Sequence, residues 1–229
     1  MKLLPPCIAE FIGTFTLIFI GIGAIANMNP PLQTATHLPI NLLAIAVAHG
    51  LAIAVMVAAT LHISGGQLNP AVSAALMVTG KITPREGIAY IIAQLAGAVA
   101  AAAICRALFG EDIVRGGTPA LAPTTSIAAG IVVEAILTFF LVFVIFGTGV
   151  DSRGRGAGTG LAIGLTVCLD ILFGGPLTGA AMNPARTFGP ALIANFWPAH
   201  YVYWIGPIGG GILAGLVYNT FLLKPQPTT

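Results

Sequence analysis

Charge is nearly absent from this chain: Asp, Glu, Lys and Arg together make up 7% of its 229 residues. A water-soluble domain carries about 25%, so that class is excluded. The net charge of +2 leaves no basic surface for a nucleic acid. Cysteine is scarce as well. Cys7, Cys105 and Cys168 are an odd set without metal-ligand spacing, which excludes a disulfide framework and a metal centre and leaves packing as small hydrophobes. No pairing of base and nucleophile, no metal cluster and no phosphate loop appears, so neither an enzyme nor a cofactor is expected. What the chain does have is apolar surface, at 57% of residues and a mean hydropathy of +0.96.

That composition predicts an all-α membrane protein. A spanning helix needs about 20 mostly apolar residues, and six runs meet the requirement: residues 7–27, 40–61, 85–108, 126–148, 156–174 and 201–223. The first run is spanning length and is expected to remain as a helix rather than be removed as a signal peptide. With six spans, Lys2, Lys81, Arg85, Arg153, Arg155 and Lys224 share a face, against Arg106 and Arg115 on the other. The basic excess places both termini in the cytoplasm, with the plasma membrane as the expected location. Small residues recur at helix-contact spacing: Gly156, Gly160 and Gly164, Gly206 with Gly210, and Gly211 with Gly215. In lipid such spacing lets backbones approach closely.

Two copies of a short motif interrupt the apolar sequence. Ser64-Gly65-Gly66-Gln67-Leu68-Asn69-Pro70-Ala71 is answered 114 positions later by Thr178-Gly179-Ala180-Ala181-Met182-Asn183-Pro184-Ala185. Asn before Pro marks a helix start, with Asn as cap and Pro at the first position, where its missing N–H costs nothing. Each segment is too short to cross a bilayer. Half-helices that enter and return are tolerated only where protein or a water-filled cavity surrounds them.

The motif belongs to a longer repeat. Residues 10–19 match residues 134–143 at six of ten positions, and Gly50-Leu51-Ala52-Ile53 matches Gly160-Leu161-Ala162-Ile163. The chain reads as one domain, residues 1–229, built of two copies of helix, helix, half-helix, helix over approximately 1–110 and 126–229. Three spans separate the copies, so the second is inverted, and inverted repeats put their shared site near the bilayer midplane. The joining segment, residues 109–125, reads as an outside loop over a pore mouth. Arg186 is the basic residue deepest in apolar sequence, and such a group faces water or a partner. It lines the pore or pairs with Asp170.

The two Asn-Pro-Ala boxes, Glu10 and Glu134, His62-Ile63-Ser64-Gly65-Gly66 and Arg186-Thr187-Phe188-Gly189-Pro190 together resemble the aquaporins, the major intrinsic protein family, over nearly the whole length. Asp170-Ile171-Leu172-Phe173-Gly174-Gly175-Pro176 and Ala48-His49 look most like the plant tonoplast intrinsic proteins. The resemblance implies six transmembrane helices plus two re-entrant half-helices, a homotetramer with one pore per subunit, and a passive channel for water and small neutral solutes. It assigns Asn69, Pro70, Ala71, Asn183, Pro184 and Ala185 to the midplane, His49, Ile171, Ala180 and Arg186 to the selectivity filter, and Glu10 and Glu134 to structural support of the half-helix loops. Ile171 and Ala180 imply an opening wider and less polar than a strict water filter, passing ammonia, hydrogen peroxide and glycerol in addition to water. Thr187 and Tyr203-Trp204 favour the water branch. Gln67 stands where the family usually has His. Asp170 braces the loop around Gly179 or faces a neighbouring subunit. A secondary transporter shares inverted repeats and broken helices, but no convergent carboxylates stand by to bind a coupling ion.

Overall fold

The computed structural model describes residues 3–28 and 41–223; Lys2, Ile40 and Lys224 lie outside them. Helix starts follow from local chemistry. Prolines 5 and 6 open α1 (Leu4–Asn27). Asn41 caps α2 (Leu42–Thr60) by accepting from the Ala44 N–H. Asn69 and Asn183 cap the short helices α3 (Pro70–Val78) and α8 (Pro184–Ile193), each with Pro in the first turn. Thr83 and Glu86 form a capping box for α4 (Pro84–Phe109). Ser126 caps α6 (Ile127–Ile145), which widens into a π turn, Phe146–Val150. Between α4 and α6 lies α5 (Glu111–Gly116). α7 (Thr159–Thr178) ends on Gly179, whose φ of +81° is a conformation that costs Gly nothing. α9 (Val202–Val217) closes with a second π turn, Tyr218–Leu222.

Six of these helices are long and apolar enough to cross a membrane, and α3 and α8 are not. Most span boundaries fall within a few residues of the sequence reading. α7 is the exception: it continues past Gly174 and through Pro176, which forfeits one N–H bond without ending the helix, and stops at Gly179. The segment 109–125, read as a loop, contains α5.

Packing shows the inverted repeat directly. α1 packs on α4 as α6 packs on α9, α1 on α2 as α6 on α7, and α3 on α9 as α8 on α4, with α2 against α7 at the centre. Glycines make the close approaches. A Cβ on Gly97 would strike the Phe11 carbonyl, and one on Gly210 the equivalent Ala135 carbonyl. At the centre, a Cβ on Gly50 would stand 2.5 Å from the Gly164 oxygen, and one on Gly160 the same 2.5 Å from the Ala54 oxygen. That reciprocity is what a two-fold relation between the halves requires. Gly206, Gly211 and Gly215 likewise sit against neighbouring helices. Gly156 does not: it lies in the turn before α7, and a Cβ there would meet nothing within 4 Å among the described residues.

The outward surface is apolar, with Ile12, Ile20, Leu51, Val55, Leu165, Phe173, Ile205 and Leu213 exposed. At one end the turn after α6 is tied to the end of α9. Asp151 accepts from the Arg153 guanidinium and, at 3.2 Å, from the Tyr218 hydroxyl, while Arg153 donates to the Leu222 carbonyl at 2.7 Å. The Arg153 side chain holds the Asp151 carboxyl well below the usual carboxylate range.

Candidate functional site

The two motif loops adopt matching strained backbones. Gly65 and Gly179 have φ of +91° and +81°, Gly66 and Ala180 of +57° and +43°, and Leu68 and Met182 of +53° and +52°. For Leu, Met and Ala such a φ costs roughly 1–2 kcal/mol apiece, so something must hold the loops in place.

The buried carboxylates do so. Glu10 Oε1 accepts from the Ser64 hydroxyl (2.6 Å) and the Gln67 N–H (2.9 Å), and Oε2 from the Leu68 N–H (2.6 Å) and Gln94 Nε2 (2.7 Å). In the other half Glu134 Oε1 accepts from the Thr178 hydroxyl (2.6 Å) and the Ala181 N–H (2.9 Å), and Oε2 from the Met182 N–H (2.7 Å). Hydrogen bonds to a charged group contribute about 1.5–3 kcal/mol each, so three or four outweigh the strain of one loop. Tyr203 adds to the second loop by donating to the Thr178 carbonyl at 2.8 Å.

Each capping asparagine also reaches across to the opposite loop. Asn69 Oδ1 accepts from the Ala71 N–H (2.8 Å) while its Nδ2 donates to the Met182 carbonyl (2.8 Å). Asn183 Oδ1 accepts from the Ala185 N–H (2.9 Å) and the Arg186 N–H (3.3 Å), and its Nδ2 donates to the Leu68 carbonyl (2.9 Å). The two half-helices therefore meet N-terminus to N-terminus through a reciprocal clasp. An amide nitrogen carries two hydrogens, so one N–H of each remains available to the cavity beside it.

That cavity is a narrow waist of about 30 Å³ between two wider mouths. With about 10–15 Å³ of such space per water, it admits roughly two or three waters. Asn69, Asn183, Gln67, His49 and Arg186 supply its polar side chains, and Leu17, Ile53, Val72, Leu141, Ile163 and Ile171 much of its apolar wall. One mouth, about 330 Å³, shares His49, Ile171 and Arg186 with the waist and is walled by the backbone of residues 116–120. The other, about 250 Å³, shares Gln67, Ile145 and Ile163 and has Lys81 and Arg155 at its rim.

At the first mouth the four residues assigned to a filter come together: His49, Ile171 and Arg186 border both waist and mouth, and Ala180 borders the waist. Arg186 is buried, and its Nη1 donates to the Gly117 carbonyl at 2.8 Å. Its alternative partner, Asp170, makes no ion pair with it among the described residues. Asp170 is buried, and its Oδ2 has no partner among the described residues. His49 Nδ1 lies 2.8 Å from the Ile45 carbonyl, so that nitrogen donates and, in the neutral ring, Nε2 is the acceptor. Nε2 is buried and meets no donor among the described residues.

Sequence reasoning did not anticipate three elements. The Gly117 carbonyl that anchors Arg186 carries no side-chain signature. Gln67 turns its Oε1 to the Ser73 hydroxyl (2.6 Å), and Ser73 in turn accepts from Gln94 Nε2 at 3.0 Å. Gln94, alone and polar in an apolar span, was the available signal for that network. At the same end of the molecule as Gly117, His200 accepts from the Trp204 indole at 3.1 Å, and burial holds its imidazole below the usual range.

The Major intrinsic protein model matches residues 1–218. The chain is 44% identical over 215 residues to Aquaporin TIP4-4 of Zea mays, covering 93% of this chain and 84% of that relative. It is 45% identical over 225 residues to Aquaporin TIP2-1 of Arabidopsis thaliana, covering 94% and 86%, and 41% identical over 213 residues to Aquaporin-4 of Mus musculus, covering 92% and 65%. The aquaglyceroporin from Plasmodium falciparum superposes with a TM-score of 0.85 at 25% identity, over 96% of this chain and 97% of that one. By the extent of the family match and the identity of its relatives, this chain belongs to the major intrinsic protein family.

Proposed function

We propose that the protein is a passive membrane channel for water that also passes small neutral solutes, and not an enzyme. The observation that carries the reading is the row of three cavities that share lining residues from one mouth through the waist to the other, the waist, among the described residues, being lined by no carboxylate and by one cation, Arg186. A transporter that couples flux to an ion needs ligands for that ion at the midplane, and this lining offers amides and backbone instead.

In this reading the two half-helix N-termini each present roughly half a positive charge and oppose cations and protons where they converge. The free N–H of Asn69 and of Asn183 turns the oxygen of a passing water toward the centre, which breaks the orientation of the water chain. Selection among neutral solutes falls to His49, Ile171, Ala180 and Arg186. Ile171 offers no hydrogen bond and Ala180 little bulk, so ammonia, hydrogen peroxide and, more slowly, glycerol pass with water. Four copies, each with its own conduit, form the proposed assembly. Lys81 and Arg155 at one mouth mark the cytoplasmic side, and the plasma membrane is the proposed location.

The test is stopped-flow shrinkage and solute uptake in proteoliposomes, run in parallel for water, ammonia, hydrogen peroxide and glycerol. Water flux well above that of empty vesicles, with no proton conductance, is expected. Flux equal to empty vesicles would refute the channel reading.

A further inference from the structure

Behind the His49 ring, α1 presents bare backbone at Gly21. Leu17 lines the waist and Ile25 lines the mouth beyond it. Gly21 lies one helical turn from each and therefore on the same face. It is buried, and His49 occupies the space before it. A methyl group on Gly21 would collide with His49 Nε2 and stand 2.9 Å from both Cδ2 and Cε1. The imidazole is tethered at its other nitrogen by the Ile45 carbonyl, so it cannot swing aside along α2 without giving up that bond.

The second half shows what normally fills such a position. The offset that relates Glu10 to Glu134 relates Leu17 to Leu141 and Gly21 to Ile145. Leu141 and Ile145 both line the waist with their own side chains. In the first half, the volume that a side chain at position 21 would take is given to the His49 ring.

We propose that Gly21 is a specificity-determining residue of this channel: its bare backbone forms the recess into which His49 leans, and the depth of that recess sets the width of the constriction. The proposal rests on His49 standing at the filter. Gly21 itself is a positioning residue that acts through the imidazole. Any side chain at position 21 drives the ring toward Arg186 and Ile171 and narrows the passage. In a constriction, solutes larger than water are affected first.

The experiment compares Gly21→Ala, His49→Ala and the double variant, each as the full chain in proteoliposomes, with water, hydrogen peroxide and glycerol fluxes measured side by side. Gly21→Ala should lower the glycerol-to-water ratio about tenfold, the scale on which one methyl group discriminates in a fitted site. His49→Ala should raise that ratio, and the double variant should behave as His49→Ala does, because the ring with which the methyl collides is gone. A Gly21→Ala channel with the parental ratio overturns the proposal, as does a double variant that retains the full Gly21→Ala decrease. If Gly21→Ala does not fold, a folded double variant supports the collision, and an unfolded one overturns it. Should His49→Ala leave the ratio unchanged, the placement of His49 at the filter fails, whatever Gly21→Ala does.

Discussion

Removing the amide of Asn69 tests the clasp at its centre. Asn69→Ala deletes two interactions at once: the cap on the Ala71 N–H and the bond to the Met182 carbonyl, both 2.8 Å. A lost cap costs about 1 kcal/mol. The cross-loop bond contributes about 0.5–1.5 kcal/mol, and the Met182 carbonyl borders the conduit, where water replaces its donor. The sum is about 2 kcal/mol. For a chain of this size each kcal/mol moves the midpoint by about 2–4 °C, so Asn69→Ala should melt roughly 4–8 °C below the parent. Asn183→Ala should fall further, because Oδ1 also receives the Arg186 N–H at 3.3 Å and its loss loosens the first turn of the helix that carries the arginine. The assay is intrinsic fluorescence of Trp197 and Trp204 on heating in detergent, with proteoliposome water flux and proton leak measured on the same preparations. Both variants should conduct water more slowly, and the proton leak should rise. Variants that melt within about 1 °C of the parent and conduct as it does would show that neither cap nor clasp holds the midplane together.

Two further outcomes are expected. Ala180 borders the waist and none of Cys7, Cys105 and Cys168 does, so mercurials should leave water flux in the parent unchanged and block Ala180→Cys reversibly by thiol; equal inhibition of both would place a reactive thiol in the conduit. The folded pKa of His200 is lowered by burial, so the folded state resists a proton that the unfolded chain accepts below about pH 6.5. The stability that neutral His200 provides is thus complete above that pH and lost as pH falls. Thermal midpoints should drop between about pH 7.5 and about pH 5.5, less steeply in His200→Phe; identical slopes would remove His200 from the explanation.

How much of this was legible in the sequence follows from which atoms do the work. Asn69 and Asn183 announce helix starts because a cap is a side chain followed by Pro, and the repeat register can be read because Glu10 and Glu134 stand alone in apolar runs. The six spans follow from length and hydropathy. The anchor of Arg186 was not legible, since a backbone carbonyl at Gly117 has no residue type to betray it, and α5 was hidden in a segment rich in Gly and Pro. The recess at Gly21 was invisible for a related reason. A glycine in a membrane helix looks like any other until the ring that leans on it is seen. The alternative of Arg186 paired with Asp170 was chemically sound on paper and fails because α8 turns the guanidinium toward Gly117.

The reciprocal bonds of Asn69 and Asn183 also have a meaning for biogenesis. Leu68 and Asn69 leave the ribosome more than a hundred residues before Met182 and Asn183. Throughout that interval the first loop holds a carbonyl and an amide whose partners have not been synthesised, in a region where unpaired polar groups are costly. The first half cannot finish its own midplane, and neither can the second. The waist is therefore closed only once the second half-helix has docked against the first loop, and until then there is no selective path across the membrane.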